Sequence, residues 1–143
     1  MAIVGPLVLD GIYAQGEFCV PLCTLEGTLA MSMNRGMYAS LLSGGTKVRH
    51  FRQELSRAPV FIFDNLKESA EFQSWVTQNE KKIMDVAGSS TKHGKVLRID
   101  QYTVQNFVVL DLVMDTSNAA GQNMVTLAAQ LACEFIHNKT KYK

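Results

Sequence analysis

Charge of either sign is in short supply. Fourteen Lys and Arg stand against 13 Asp and Glu, a net charge of +1 in 143 residues. So even a balance withholds the electrostatic footprint on which non-specific nucleic-acid binding or a polybasic membrane anchor depends. Any anionic ligand must be held by local charge. Long hydrophobic runs are also missing: Phe107–Leu110 is stopped by Asp111, far short of the roughly 20 apolar residues of a membrane span. The start, Met1–Asp10, lacks the basic stretch and long apolar core of a signal peptide, so the chain reads as cytoplasmic, with no membrane and no nucleic acid among its partners. Cysteine is scarce. Cys19, Cys23 and Cys133 cannot all pair, and the first two lack a second Cys or His pair to complete a zinc site. They read as buried, reduced thiols. His50, His93 and His137 lie too far apart for a metal-binding helix motif, so no metal is expected. Neither a GxGxxG fingerprint nor a P-loop occurs. A nucleotide, if bound, is bound by another device.

What is present is 47% hydrophobic residues, enough to bury a core, and clear punctuation. Met1–Cys23 sets Gly5-Pro6, Gly11, Gly16 and Pro21 between short apolar stretches, which predicts strands joined by turns. From Glu26 to Leu42 the period changes: Leu29, Met33, Met37 and Leu41 recur every four residues up to Gly44-Gly45, which predicts a helix. Lys47–Phe63 reads as extended, with Val60–Phe63 a strand behind Pro59. A second helix carries Phe72, Trp75, Val76, Ile83 and Val86 on one stripe, with Gly88 at its C-terminal end. Val96–Val104 and Phe107–Met114 read as a hairpin, the second strand turning Val108, Leu110, Leu112 and Met114 to one face. Gly121–Asn138 closes as a helix with Met124, Leu127, Leu131 and Phe135 as its apolar stripe. The expected fold is therefore α+β. From Arg57 onward the order β, α, β, β, α is a ferredoxin-like split βαβ unit without its fourth strand, because Lys139–Lys143 is too short and too charged to make one. Short strands and a long helix precede it.

Four places carry residues suited to chemistry. Glu26 heads the first helix, where the dipole favours a carboxylate; it is either an ordinary first-turn acid or a catalytic one. Ser32 and Arg35 lie three apart on that helix and can hold a phosphate or carboxylate jointly. Beside them, Gly36 inside a helix costs about 1 kcal/mol against Ala, a sign of close approach by a helix or ligand. Lys47, Arg49, Arg52 and Arg57 form one basic cluster, and Lys92, His93, Lys95 and Arg98 another; either is also explained as a solvated face. The small, polar segment Thr116–Met124 opens a helix, and is either an ordinary capped loop or a place where free N–H groups meet an anion.

Six blocks then carry a family likeness: Val4-Gly5-Pro6-Leu7, Val20–Gly27, Ser32-Met33-Asn34-Arg35-Gly36, Ser43-Gly44-Gly45, Arg57-Ala58-Pro59-Val60 and Ala119–Met124. In this order the chain resembles the NADPH-using class of hydroxymethylglutaryl-CoA reductase, from the start of its catalytic region through most of its small cofactor domain. The resemblance implies reduction of the hydroxymethylglutaryl-CoA thioester to mevalonate, in isoprenoid biosynthesis, with two hydride transfers from NADPH. It implies that residues 1–45 belong to the substrate domain and residues 46–143 to an incomplete ferredoxin-like NADPH domain. It makes Glu26 the catalytic proton donor, Ser32, Asn34 and Arg35 contacts of CoA, and Arg57 a contact of the hydroxymethylglutaryl group. Thr91, Lys92 and His93 become a cofactor-contacting loop, with Lys92 toward the 2′-phosphate, and Asn118, Ala119, Ala120, Gly121, Gln122, Asn123 and Met124 the dinucleotide loop. Two departures stand out. Asn118 replaces the family's aspartate, and the motifs bearing the family's catalytic lysine, aspartate and histidine have no counterpart here. The chain is thus expected to be a reductase fragment, inactive alone. The alternative is a non-catalytic nucleotide- or partner-binding module derived from the reductase. A homo-oligomer or a complementing chain is expected from the apolar first helix and the missing strand.

Overall fold

The computed structural model describes residues 1–141 and divides into two compact units, Met1–Phe51 and Arg52 onward. In the first, β1 (Ala2–Gly11) pairs antiparallel with β2 (Gln15–Leu22), and the register shifts at the cis Gly5-Pro6 bond. β3 (Thr46–Val48) lies parallel on the other side of β1. That pairing moves the division to Phe51, beyond the expected limit at Gly45: Thr46–Val48 needs the β1 edge for its hydrogen bonds.

Helix α1 (Gly27–Leu42) runs as its four-residue period predicts, from Glu26 to the paired glycines, yet none of its residues is buried. In this unit only Val4 falls fully out of solvent. Met31 and Leu42 are more than two-thirds exposed, at 73% and 71%. Cys19 and Cys23 are exposed and Cys133 half-buried; all three are free thiols. The expectation that they are buried fails for Cys19, which lies on the edge strand β2, and for Cys23, just past its end, while Cys133 on α3 is only partly covered. Burial, together with the neighbouring Glu134 carboxylate, pushes the Cys133 thiol up from its ordinary value.

The second unit holds the core. β4 (Leu55–Arg57) and β5 (Val60–Ile62) both pair with β7 (Phe107–Asp115), at its opposite ends, and are two halves of one edge strand broken at Ala58-Pro59. β6 (Lys95–Val104) pairs along the other side of β7. Val108, Leu110, Leu112 and Met114 form one buried face of β7, as alternation requires, and they meet Phe72, Val76 and Ile83 of α2 (Leu66–Gly88). Asn65 caps α2 by accepting from the Glu68 N–H at 3.0 Å.

Helix α3 (Gln122–Lys139) differs from expectation in the face it buries. Val125, Ala128, Ala129, Ala132 and Ile136 are buried, whereas Leu127 is 46% exposed and Met124, Leu131 and Phe135 are half-buried. Alanines let the helix lie close on the sheet, so the larger side chains are carried to its flanks. No fourth continuous strand lies beside β4 and β5 among the described residues; of the tail Lys139–Lys143, Tyr142 and Lys143 lie outside them. No helix among the described residues is long and apolar enough to cross a membrane.

On the sheet's outward face Arg98 forks onto Glu54 at 3.0 and 2.9 Å and reaches Asp100 at 2.9 Å, while Arg52 lies 3.7 Å from Glu54. The Arg98 hydrogen bonds hold the Glu54 carboxyl below its ordinary value, against an opposing effect of desolvation and with the Arg98 and Arg52 charges adding to the lowering. A lowered carboxylate stabilises the fold above the unfolded-state value near 4.5, and that contribution is lost as pH falls through the lower folded-state value. Thermal melts of wild type and Glu54→Gln are thus expected to differ at neutral pH and to converge in acid. A gap that persists unchanged at pH 3 would contradict this.

Candidate functional site

In the first unit the candidates gather at the head of α1. Glu26 is its N-cap residue in extended backbone, and its side chain makes no capping bond to the helix. Its N–H donates to Thr24 Oγ1 at 3.0 Å, and Thr28 Oγ1 donates to Glu26 Oε1 at 3.5 Å. The carboxylate is therefore free of the helix backbone and exposed. Glu26, Ser32 and Arg35 line one open hollow of about 410 Å³, so a carboxylate, a hydroxyl and a guanidinium share it. Asn34 is placed differently: its Oδ1 accepts the Gly5 N–H at 2.9 Å and ties α1 to β1. A side chain built on Gly36 would meet nothing within 4 Å. The close approach expected there does not occur among the described residues, because no element lies over that face of α1.

In the second unit three separate stretches converge on the first turn of α3. Arg57, at the end of β4, donates from Nη2 to Gln122 Oε1 at 2.9 Å and from Nε to Thr126 Oγ1 at 3.0 Å. Gly94, following Thr91-Lys92-His93, lies so close that an added Cβ would stand 2.5 Å from Met124 Sδ and 3.2 Å from the Asp115 carbonyl. Thr91 Oγ1 shapes that turn by accepting from His93 N at 3.1 Å and Gly94 N at 3.3 Å. The third stretch is the loop of residues 116–121 itself. Gly121, the N-cap of α3, has φ +82°, and no side chain caps the helix.

This corner can hold an anion. Uncapped N–H groups at the start of α3 present the positive end of a helix dipole, and the Arg57 guanidinium lies beside them. Lys92 and His93 are exposed on the adjoining turn. Asn118, Ala119, Ala120, Gln122 and Asn123 are exposed, so small side chains border the approach.

Thr116, the first residue of the segment singled out in the sequence, is only 4% exposed, donates to the Ala119 carbonyl at 2.9 Å and packs beneath Gly121. Two further residues that build the loop escaped the sequence reading. Asp115 Oδ1 accepts the Ser117 N–H at 2.8 Å, an Asx turn that an Asp ending a strand before Thr-Ser could have signalled. Gln53 donates to the Ser117 carbonyl from 64 residues away, and nothing local in the sequence announces it.

One unit thus sets an exposed carboxylate beside Arg and Ser, and the other sets an arginine beside an uncapped helix start, both arrangements able to meet an anionic group. The chain belongs to the hydroxymethylglutaryl-coenzyme A reductase family, whose model matches residues 1–143. It is 36% identical over 142 residues to the 3-hydroxy-3-methylglutaryl-coenzyme A reductase of Methanocaldococcus jannaschii, covering 99% of this chain and 35% of that protein. To the Aeropyrum pernix enzyme it is 35% identical over 136 residues, 95% of this chain and 32% of the relative. The chain therefore spans about a third of the length of these relatives. Among solved structures, the class II reductase from Streptococcus pneumoniae bound to NADPH has the same fold over 99% of this chain and 39% of its own, with a TM-score of 0.59 and 13% identity.

Proposed function

We propose that the chain is a fragment of the catalytic region of hydroxymethylglutaryl-CoA reductase that carries a cofactor corner and one catalytic acid but not the complete reaction machinery. The observation that carries this reading is the convergence of Arg57, the Thr91–Gly94 turn and the Asn118–Met124 loop on the start of α3. In this reading the second unit is the ferredoxin-like NADPH domain. Its strand order, β4 and β5 beside β7 and then β6, supports that, since in a split βαβ unit the first strand lies next to the third.

The residues present fit a dinucleotide. Arg57, which the resemblance assigns to the hydroxymethylglutaryl group, is tied to Gln122 and Thr126 in the first turn of α3, so in this reading it takes the pyrophosphate with the α3 N–H groups instead. Lys92 supplies charge for the 2′-phosphate with His93 beside it, and Ala119 and Ala120 let the ribose approach. NADPH supplies the hydride when bound. In the first unit Glu26 holds and delivers a proton to the reacting oxygen, while Ser32 and Arg35 hold an anionic group of hydroxymethylglutaryl-CoA or CoA. Asn34 supports that surface by fixing α1 against β1. Three free thiols suit the cytoplasm.

Calorimetric titration with NADPH tests the cofactor corner. Binding is expected, and Asn118→Asp is expected to tighten it by about 1–2 kcal/mol, through a carboxylate accepting ribose or backbone donors. Weaker binding by the variant would mean that the corner presents its charge differently. Binding without turnover also fits the second reading, a non-catalytic nucleotide- or partner-binding module.

A further inference from the structure

The segment Arg52–Glu54 opens the second unit and runs into β4, and its neighbouring side chains go to different places. Glu54 is taken by the Arg98 fork on β6, with Arg52 beside it. Gln53 reaches the loop before α3, where its Nε2 donates to the Ser117 carbonyl. In the β4–β7 register Leu55 lies opposite Met114, which sets Gln53 opposite Thr116, so the segment carries the line of β4 on across the foot of that loop. Ser117 needs holding. It sits at φ +54°, a left-handed conformation that serine rarely adopts and that persists only where its surroundings fix it. Two contacts fix it here, one on each side of its α-carbon: Asp115 Oδ1 accepts its N–H at 2.8 Å, and Gln53 donates to its carbonyl. A trans peptide turns its C=O and its N–H in opposite directions. With the Ser117 carbonyl facing Gln53, the Asn118 N–H therefore faces away from it, and no group among the described residues accepts that N–H.

We propose that Gln53 is a positioning residue for the nucleotide: by holding the Ser117–Asn118 peptide it keeps Ser117 left-handed and leaves the Asn118 N–H free to donate to an oxygen of the bound cofactor. This rests on the reading of the corner as an NADPH site, and Gln53 acts there through Ser117. Main-chain N–H groups turned out around a left-handed residue are a recurrent device for meeting anions. The amide suits the task, since it donates to a carbonyl without bringing a charge to the phosphates, whereas an ionised carboxylate of the same shape could not donate at all. Its base is fixed as well. Gln53 is exposed, but the next residue is clamped to β6 by two hydrogen bonds from Arg98, so little freedom remains to be lost when the loop is gripped. A surface ion pair of this kind contributes little stability of its own; here it also anchors the segment that carries Gln53.

Calorimetric titration of the 143-residue chain with NADPH, on wild type, Gln53→Met, Ser117→Gly and the double variant, tests this. Methionine keeps the reach of the side chain and loses the donor. Gln53→Met is expected to weaken NADPH binding about five- to tenfold, the worth of one neutral hydrogen bond, with an unchanged far-ultraviolet dichroism spectrum. Glycine enters left-handed backbone without penalty, so in the Ser117→Gly background the same change is expected to cost no more than about twofold. Without NADPH, the Ala119 amide, bonded to the Thr116 carbonyl at 3.2 Å, is expected to exchange faster in Gln53→Met than in wild type. Equal affinity of wild type and Gln53→Met would overturn the proposal and leave the cofactor corner standing. Equal losses in the two backgrounds would overturn it too, because a role unconnected with Ser117 adds to that of Ser117 independently, and so would an Ala119 amide that exchanges at the wild-type rate. A wild type that takes up no NADPH would overturn the cofactor reading and this proposal with it.

Discussion

Mixed with NADPH and hydroxymethylglutaryl-CoA, the 143-residue chain is expected to oxidise no NADPH above background. Glu26 is present, but the family's lysine, which stabilises the oxyanion, and its histidine, which protonates the leaving thiolate, have no counterpart here. Removing one oxyanion-stabilising group typically costs about 10²–10³ in rate, and removing a general acid about 10²–10⁴. Together they predict a deficit of at least about 10⁴ against a complete reductase. A coupled absorbance assay checks it, with Glu26→Gln as the control that must not differ from wild type. Turnover at ordinary enzymatic rates would show that other groups of this chain replace the missing ones.

Gly121→Ala is expected to be the most damaging single substitution in the cofactor corner. At φ +82° an alanine pays the steric penalty of left-handed backbone, about 1–2 kcal/mol. Its Cβ would also stand 2.3 Å from Thr116 Cγ2 and 2.6 Å from Thr116 Cβ. Thr116 is buried and bonded to the Ala119 carbonyl, so it cannot give way without opening the loop. Overpacking of this kind costs about 1–3 kcal/mol, for a total of about 2–5 kcal/mol. Urea unfolding measures it, and NADPH affinity is expected to fall alongside because the start of α3 shifts. Gly36→Ala is the matched control: with nothing near the added methyl group, it is expected to be neutral or stabilising by up to about 1 kcal/mol. A Gly121→Ala variant within 0.5 kcal/mol of wild type, on the order of ordinary surface substitutions, would contradict the loop geometry.

Much of the architecture was legible because it rests on local pattern. The alternation of Val108, Leu110, Leu112 and Met114 required one buried strand face, and Gly44-Gly45 required the end of α1. What escaped depended on partners distant in sequence. The periodicity of α1 revealed a helix with an apolar stripe but not whether anything lies on it, and among the described residues nothing buries it. In α3 the larger side chains marked a stripe, while the true contact face was set by Ala128, Ala129 and Ala132, whose smallness is useful only once a sheet is opposite. The site divides in the same way. Glu26, Ser32 and Arg35 were within reach of helical spacing, and the Asn118–Met124 loop of its small residues at a helix start. That Arg57 would reach Gln122 and Thr126, or that Gln53 would hold Ser117, required the fold.

NADPH binding at one corner of the second unit is tested most directly by a titration followed through amide chemical shifts. Added NADPH is expected to move the resonances of Thr91–Gly94 and of Asn118–Met124 together along one saturable curve, with the Arg57 Nε–H responding in parallel, while the Glu26–Arg35 amides stay in place. Saturable shifts confined to other residues, or no shifts at all, would contradict the account.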